Sequence, residues 1–219
     1  GIEPRLGAHH LAEADHGAGA LAVVPEDVVH AHHVGKARIA HRREAAALVL
    51  HAGDGGMSSN GYAAEGFSAD FSGGFTPSIK FFAIEQAVKD WLASMLLENH
   101  LARYPNLRII SVENGAEFLP DLFRKVRSLA KKMTGYFAED PIEQFRRQVW
   151  INPFWEDDVA DVVELMGADR VVFGSDWPHI EGMPQPLDYL PEVKELSPGD
   201  QRLVLHDNAA ALITDRPPN

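Results

Sequence analysis

Apolar residues fall into short unbroken runs separated by longer stretches of helical spacing. The runs are Ala46-Ala47-Leu48-Val49-Leu50, Leu107 to Val112, Val149-Trp150-Ile151-Asn152 and Arg170-Val171-Val172-Phe173. Their length and β-branched content predict buried strands of the parallel-sheet kind. Between them the period changes. From Ser78 to about Arg103 the apolar residues Phe81, Phe82, Ile84, Ala87, Val88, Trp91, Leu92, Met95 and Leu96 recur as on one helix, which Tyr104-Pro105-Asn106 ends. Further helices are predicted over Ala116 to Met133, Ala138 to Arg147, Val159 to Met166, Leu187 to Glu195 and Pro198 to Ile213. Asp140-Pro141 and Ser197-Pro198 each put a capping side chain before a proline at the first helical position. Strands alternating with helices in this order imply right-handed βαβ units and a parallel sheet.

Each run ends in a residue fit for chemistry. His51 follows the first strand and is itself followed by Ala52-Gly53-Asp54. Glu113 follows the second, before Asn114-Gly115, and Asn152 ends the third. Gly174-Ser175-Asp176-Trp177-Pro178-His179 follows the fourth. In a parallel barrel these tips converge on one mouth, where active sites are built. One imidazole and two carboxylates, His51, Glu113 and Asp176, are a donor set for a divalent metal, with zinc the first choice. A metal there acidifies water and polarises a carbonyl or carboxylate, and Asp176 could accept the proton. The plainer reading is three unrelated cap or loop residues. His100, near the end of the long helix, reads as structural. Gly55 to Gly74 is a long loop rich in Gly and Ser that carries Tyr62, Phe67 and Phe71. Loops of that length are usually functional or mobile.

Composition narrows the classes. The 219 residues suffice for one sizeable domain. A net charge of −12 argues against non-specific binding to nucleic acid or to an anionic membrane. No cysteine is present, which excludes disulfides and thiolate metal sites. No apolar run reaches the ~20 residues of a transmembrane helix, and no signal peptide is evident, so the expectation is a cytoplasmic protein. Gly-x-Gly-x-x-Gly and P-loop motifs follow none of the strands, and no Gly-x-Ser-x-Gly elbow occurs.

Residues 1 to 45 read differently. They hold seven of the eleven histidines and no Phe, Trp or Tyr. His30-Ala31-His32 follows Val28-Val29, and alternate strand residues share a face, so both imidazoles could reach one metal. Two apolar residues are too few for a barrel strand, however, and a chance His-x-His is unsurprising in so His-rich a segment. The expected division is an atypical segment over 1–45 and an ordered α/β unit over 46–219.

From about residue 46 onward the chain resembles the amidohydrolase-related family of metal-dependent hydrolases and carboxy-lyases, the group that includes aminocarboxymuconate-semialdehyde decarboxylase. The resemblance is carried by Leu50-His51-Ala52-Gly53-Asp54, by Tyr104-Pro105-Asn106-Leu107-Arg108 leading to Glu113-Asn114-Gly115, by Arg170 to His179, and by Asp207-Asn208-Ala209-Ala210. It implies a (β/α)8 TIM barrel of which strands five to eight are visible, with His51 on the fifth and Asp176 on the eighth. His51 matches a metal ligand. Asp176 matches the aspartate that binds metal or handles the proton, and His179 could face the mouth and contact substrate or equally be a supporting, structural residue. Glu113 stands where many members have a histidine. The family's early metal-binding pair has no counterpart, since His30 and His32 precede His51 by only about twenty residues.

Two functions from different classes follow. One is a metal-dependent hydrolase or decarboxylase acting on a small carboxylate or cyclic amide. The other is a barrel fragment without catalysis, or a small-ligand-binding α/β module without metal. An incomplete barrel has an open sheet edge, which favours a homo-oligomer.

Overall fold

The computed structural model of the chain describes residues 47–51, 84–154, 156–176 and 183–213. The segment 1–45 with its His-x-His, the Gly55–Gly74 loop and His179 lie outside the described residues.

Three of the four apolar runs form strands: β1 (Ala47–His51), β2 (Arg108–Val112) and β3 (Val149–Ile151). They pair in chain order, and every pairing is parallel. The register sets Leu48 beside Ile109 and Leu50 beside Ser111, and these in turn set Val149 and Ile151. Partners in register point the same way, so these six residues share one face. All six are buried, and all but Ser111 belong to one apolar core with the helices. Val49, His51, Ile110, Val112 and Trp150 alternate onto the opposite face. Trp150 is buried but is not part of that core.

The fourth run is shorter than the sequence predicts. It joins the sheet through one parallel bridge, Ile151 to Val171, and the Val172 N–H donates to Ile151 O at 2.9 Å. Arg170 closes a 3-10 turn (Ala168–Arg170) instead of starting a strand. Its guanidinium donates to Arg146 O and lies 4.7 Å from the centre of the Trp150 ring. Those attractions hold the backbone back in the turn.

Helices cover the core face. The long amphipathic stretch appears as α1 (Ile84–Leu97) and a single turn, α2 (His100–Arg103). Asn99 separates them at φ 55°, a left-handed conformation that Asn tolerates better than most residues. α3 (Phe118–Lys132) and α4 (Pro141–Gln148) lie between β2 and β3. The Asp140 side chain caps α4 by accepting from Ile142 N at 2.8 Å, with Pro141 at the first position. α5 (Val159–Met166) starts on Asp158, which accepts from Ala160 N and Asp161 N, and stops at Gly167 with φ 93°. Phe123 of α3 meets Phe145 of α4 edge-on at 5.3 Å, both fully buried.

Two C-terminal elements differ from the helices expected. Pro186–Val193 is a 3-10 helix, with Pro191 inside it removing an α-type donor. The last helix begins as α6 (Pro198–Arg202) on the Ser197 cap, widens to a π-helical turn over Leu203–Asp207, and ends as α7 (Asn208–Ile213). At the π turn, Val204 O accepts from Phe173 N at 3.0 Å, which ties this helix to the fourth run. Among the described residues no helix is long and apolar enough to cross a membrane.

Candidate functional site

The tips of β1 and β2 bring two of the expected residues together. His51 Nε2 lies 2.9 Å from Glu113 Oε2, with both side chains partly shielded from solvent. Strand alternation alone would not achieve this. His51 is in register with Val112, so the next residue, Glu113, would face the helices. Glu113 instead has φ 56°, and there the chain leaves the strand geometry. A left-handed backbone costs a non-glycine residue on the order of 1 kcal/mol and persists only where its surroundings fix it. Next to it Asn114 is buried and donates to Leu50 O at 3.0 Å and to Val112 O at 2.8 Å.

Asp176 also has a left-handed backbone, with φ 55°. Glu113, Asp176 and Asn99 are the non-glycine residues with positive φ among those described. Two of the three are thus the candidate carboxylates. Behind Asp176 the chain is braced by Asn152 at the tip of β3. The Asn152 amide donates to Val172 O at 3.3 Å, and a Cβ on Gly174 would stand 3.0 Å from it. The Met183 N–H donates to Ser175 O at 2.8 Å.

A second set of carboxylates lies beneath the turn that follows Glu113. Gly115 has φ 66°, and a Cβ there would stand 2.6 Å from Glu85 Oε1 and 2.7 Å from the Phe154 ring. Burial, then the charges of Asp157 and Glu117, pushes the Glu85 carboxyl up to about 7. Burial likewise raises Asp157, against the hydrogen bond its Oδ2 accepts from Phe154 N at 2.7 Å. Tyr189 packs against Phe173, with ring centres 4.5 Å apart, and burial raises its phenol. Glu85, on the first turn of α1, and Phe154, before α5, thus close on the turn after β2.

Of the expected site residues, His51 and Glu113 meet. Among the described residues no three His, Asp or Glu side chains form a group that could hold a metal. Asp176 follows the fourth run, which lies on the far side of β3 from the β2 tip that carries Glu113. Sequence reasoning missed the roles of Asn114 and Asn152. The available signal was a polar amide at a strand tip, where the last carbonyls need donors.

The family model for amidohydrolases matches residues 6–213. The crystal structure of an amidohydrolase from Mycobacterium avium subsp. paratuberculosis K-10 is similar at 33% identity with a TM-score of 0.67. The match covers 77% of this chain and 42% of that one, so the chain spans under half of that protein's length. A dihydroxybenzoic acid decarboxylase from Polaromonas sp. JS666, solved with manganese and 2-nitroresorcinol, aligns at 20% identity and a TM-score of 0.49, covering 62% of this chain and 42% of that one. No curated protein matches the sequence. The parallel α/β sheet is in keeping with the TIM-barrel superfamily, and the chain belongs to the amidohydrolase family.

Proposed function

We propose that residues 47–213 represent strands five to eight of a barrel whose chemistry is metal-dependent hydrolysis or decarboxylation of a small carboxylate or cyclic amide. The observation that carries this reading is the His51–Glu113 contact at adjacent parallel strand tips, in a chain of this family. The donor types fit a divalent ion. Two ligands of one tetrahedral zinc at ~2.1 Å stand about 3.4 Å apart, so this pair, now at 2.9 Å, would open by roughly half an ångström to hold one. The described residues offer two donors, and further ligands must come from elsewhere in the complete site. Such an ion, zinc first, would supply Lewis acidity toward a carbonyl or carboxylate and acidify water.

The chain's own residues have separate tasks. Glu113 accepts from His51 Nε2 and fixes the imidazole's tautomer and orientation. His51 Nε2 would have to give up that proton to serve as a metal ligand, so loading of the site would release acid. Asp176, on a separate strand, serves as the proton carrier, and His179 contacts the substrate at the mouth. In a second reading His51 and Glu113 orient a small ligand without metal and this chain is not catalytic; the observation behind it is that the two side chains already satisfy each other at hydrogen-bond distance.

Elemental mass spectrometry on size-selected protein separates the two. The metal reading expects about one equivalent of zinc or manganese per chain, lost in His51→Ala and Glu113→Ala. Metal at background after both ions are added back would leave the second reading.

A further inference from the structure

The peptide carbonyls just before His51 and Glu113 share one donor. Leu50 O and Val112 O both accept from Asn114 Nδ2, at 3.0 and 2.8 Å. Asn114 is 3% exposed, so its own amide protons have no ready water partner and are satisfied by these carbonyls. Both amide protons of Asn114 are thereby used across the β1–β2 seam. The arrangement recurs one strand along, where Asn152 donates to Pro153 O and Val172 O and its amide fills the space beside Gly174.

We propose that Asn114 is a positioning residue for the His51–Glu113 pair, its amide locking the two strand tips at the separation that lets imidazole meet carboxylate. The geometry leaves little slack. Glu113 reaches His51 only because its backbone turns left-handed, and residue 114 is the next link in the chain. An amide that holds the carbonyls on both strands fixes that turn against β1. Without those donors the turn is free to relax, and Glu113 returns toward ordinary strand geometry.

This inference rests on His51 and Glu113 being the functional pair. Its test therefore reads the pair itself and not metal uptake. The full chain is labelled with ¹⁵N-histidine, and long-range proton–nitrogen spectra report the protonation of each ring nitrogen, with His51→Gln giving the assignment. The wild type is expected to show a hydrogen-bonded Nε2–H at His51. Asn114→Ala is expected to lose or shift that signal. Asn208→Ala is the control. It also removes one buried amide with two carbonyl partners, Ala168 O and Val171 O, but away from the pair. It should melt earlier and keep the His51 signal. A folded Asn114→Ala chain with the wild-type signal overturns the inference, as does equal loss of the signal in Asn208→Ala. If Asn114→Ala does not fold, Asn114→Ser, too short to span both carbonyls, is read by the same two outcomes. A wild type with the His51 signal but no metal sinks only the metal reading.

Discussion

Glu85 is the residue whose environment most changes its chemistry. Burial and the neighbouring charges of Asp157 and Glu117 raise its carboxyl to about 7, against the Glu117 backbone N–H and Lys89. Unfolding returns it to its ordinary value of 4.5. Between these values the folded chain holds a proton that the unfolded chain has lost. The stability that Glu85 contributes is therefore fully present below pH 4.5 and is lost as pH rises through about 7. Asp157, raised for the same leading reason, tilts the curve the same way. Glu85→Gln is neutral at every pH and removes the Glu85 part of the slope. The variant should gain about 1–2 kcal/mol over wild type above pH 7, after discounting for solvent screening of a half-buried group. The gain should shrink toward pH 4.5. Urea unfolding at several pH values between 4.5 and 8.5 measures it, and a difference that stays flat with pH would count against a raised Glu85.

At the scale of elements, capping separates what the chain makes plain from what it does not. The cap on α5 is local: Asp158 accepts from Ala160 N and Asp161 N at 2.9 and 3.2 Å. Asp158→Ala should cost about 1 kcal/mol with no change in the urea slope, read from the shift in the urea midpoint. The starts of α4 and α6 are equally legible, because Asp140-Pro141 and Ser197-Pro198 settle them within three residues. β1 and β2 are legible as well, since their apolar runs are longer than any competing signal. The misses share one cause, which is that contacts distant in sequence decide them. Arg170 looks like the first residue of a strand until Trp150 and the Arg146 carbonyl hold its side chain. The helix expected from Leu187 takes 3-10 geometry around Pro191, and the π turn at Leu203–Asp207 carries no residue that announces it. The site divides the same way. Ionisable strand tips mark His51, Glu113 and Asp176 in the sequence, but the left-handed turn that joins only the first two depends on partners sixty residues apart.

The described residues share one core, and that has a measurable consequence. A single apolar cluster runs from Leu48 and Leu50 of β1 through α1, α3 and α4 to Tyr189, Val193 and Val204 near the C-terminus. Elements joined in this way should unfold together, since removing any one exposes its neighbours' buried faces. Trp91 in the core and Trp150 on the opposite face of the sheet are both buried, so the chain's tryptophan fluorescence reports on the sheet and α1, while circular dichroism reports on the helices. The two signals should give one coincident transition. Leu92, fully buried on α1, tests the coupling. Leu92→Ala should cost 2–5 kcal/mol, and both signals should move by the same amount. If the dichroism split in two, with one part unmoved by Leu92→Ala, the 3-10 helix and the last helix would be a separate unit despite their place in the cluster. Coincidence would mean that the Phe173–Val204 hydrogen bond and the Phe173–Tyr189 ring contact weld the C-terminal elements to the sheet. The stretch leading to Asp176 would then be held with the full stability of the core.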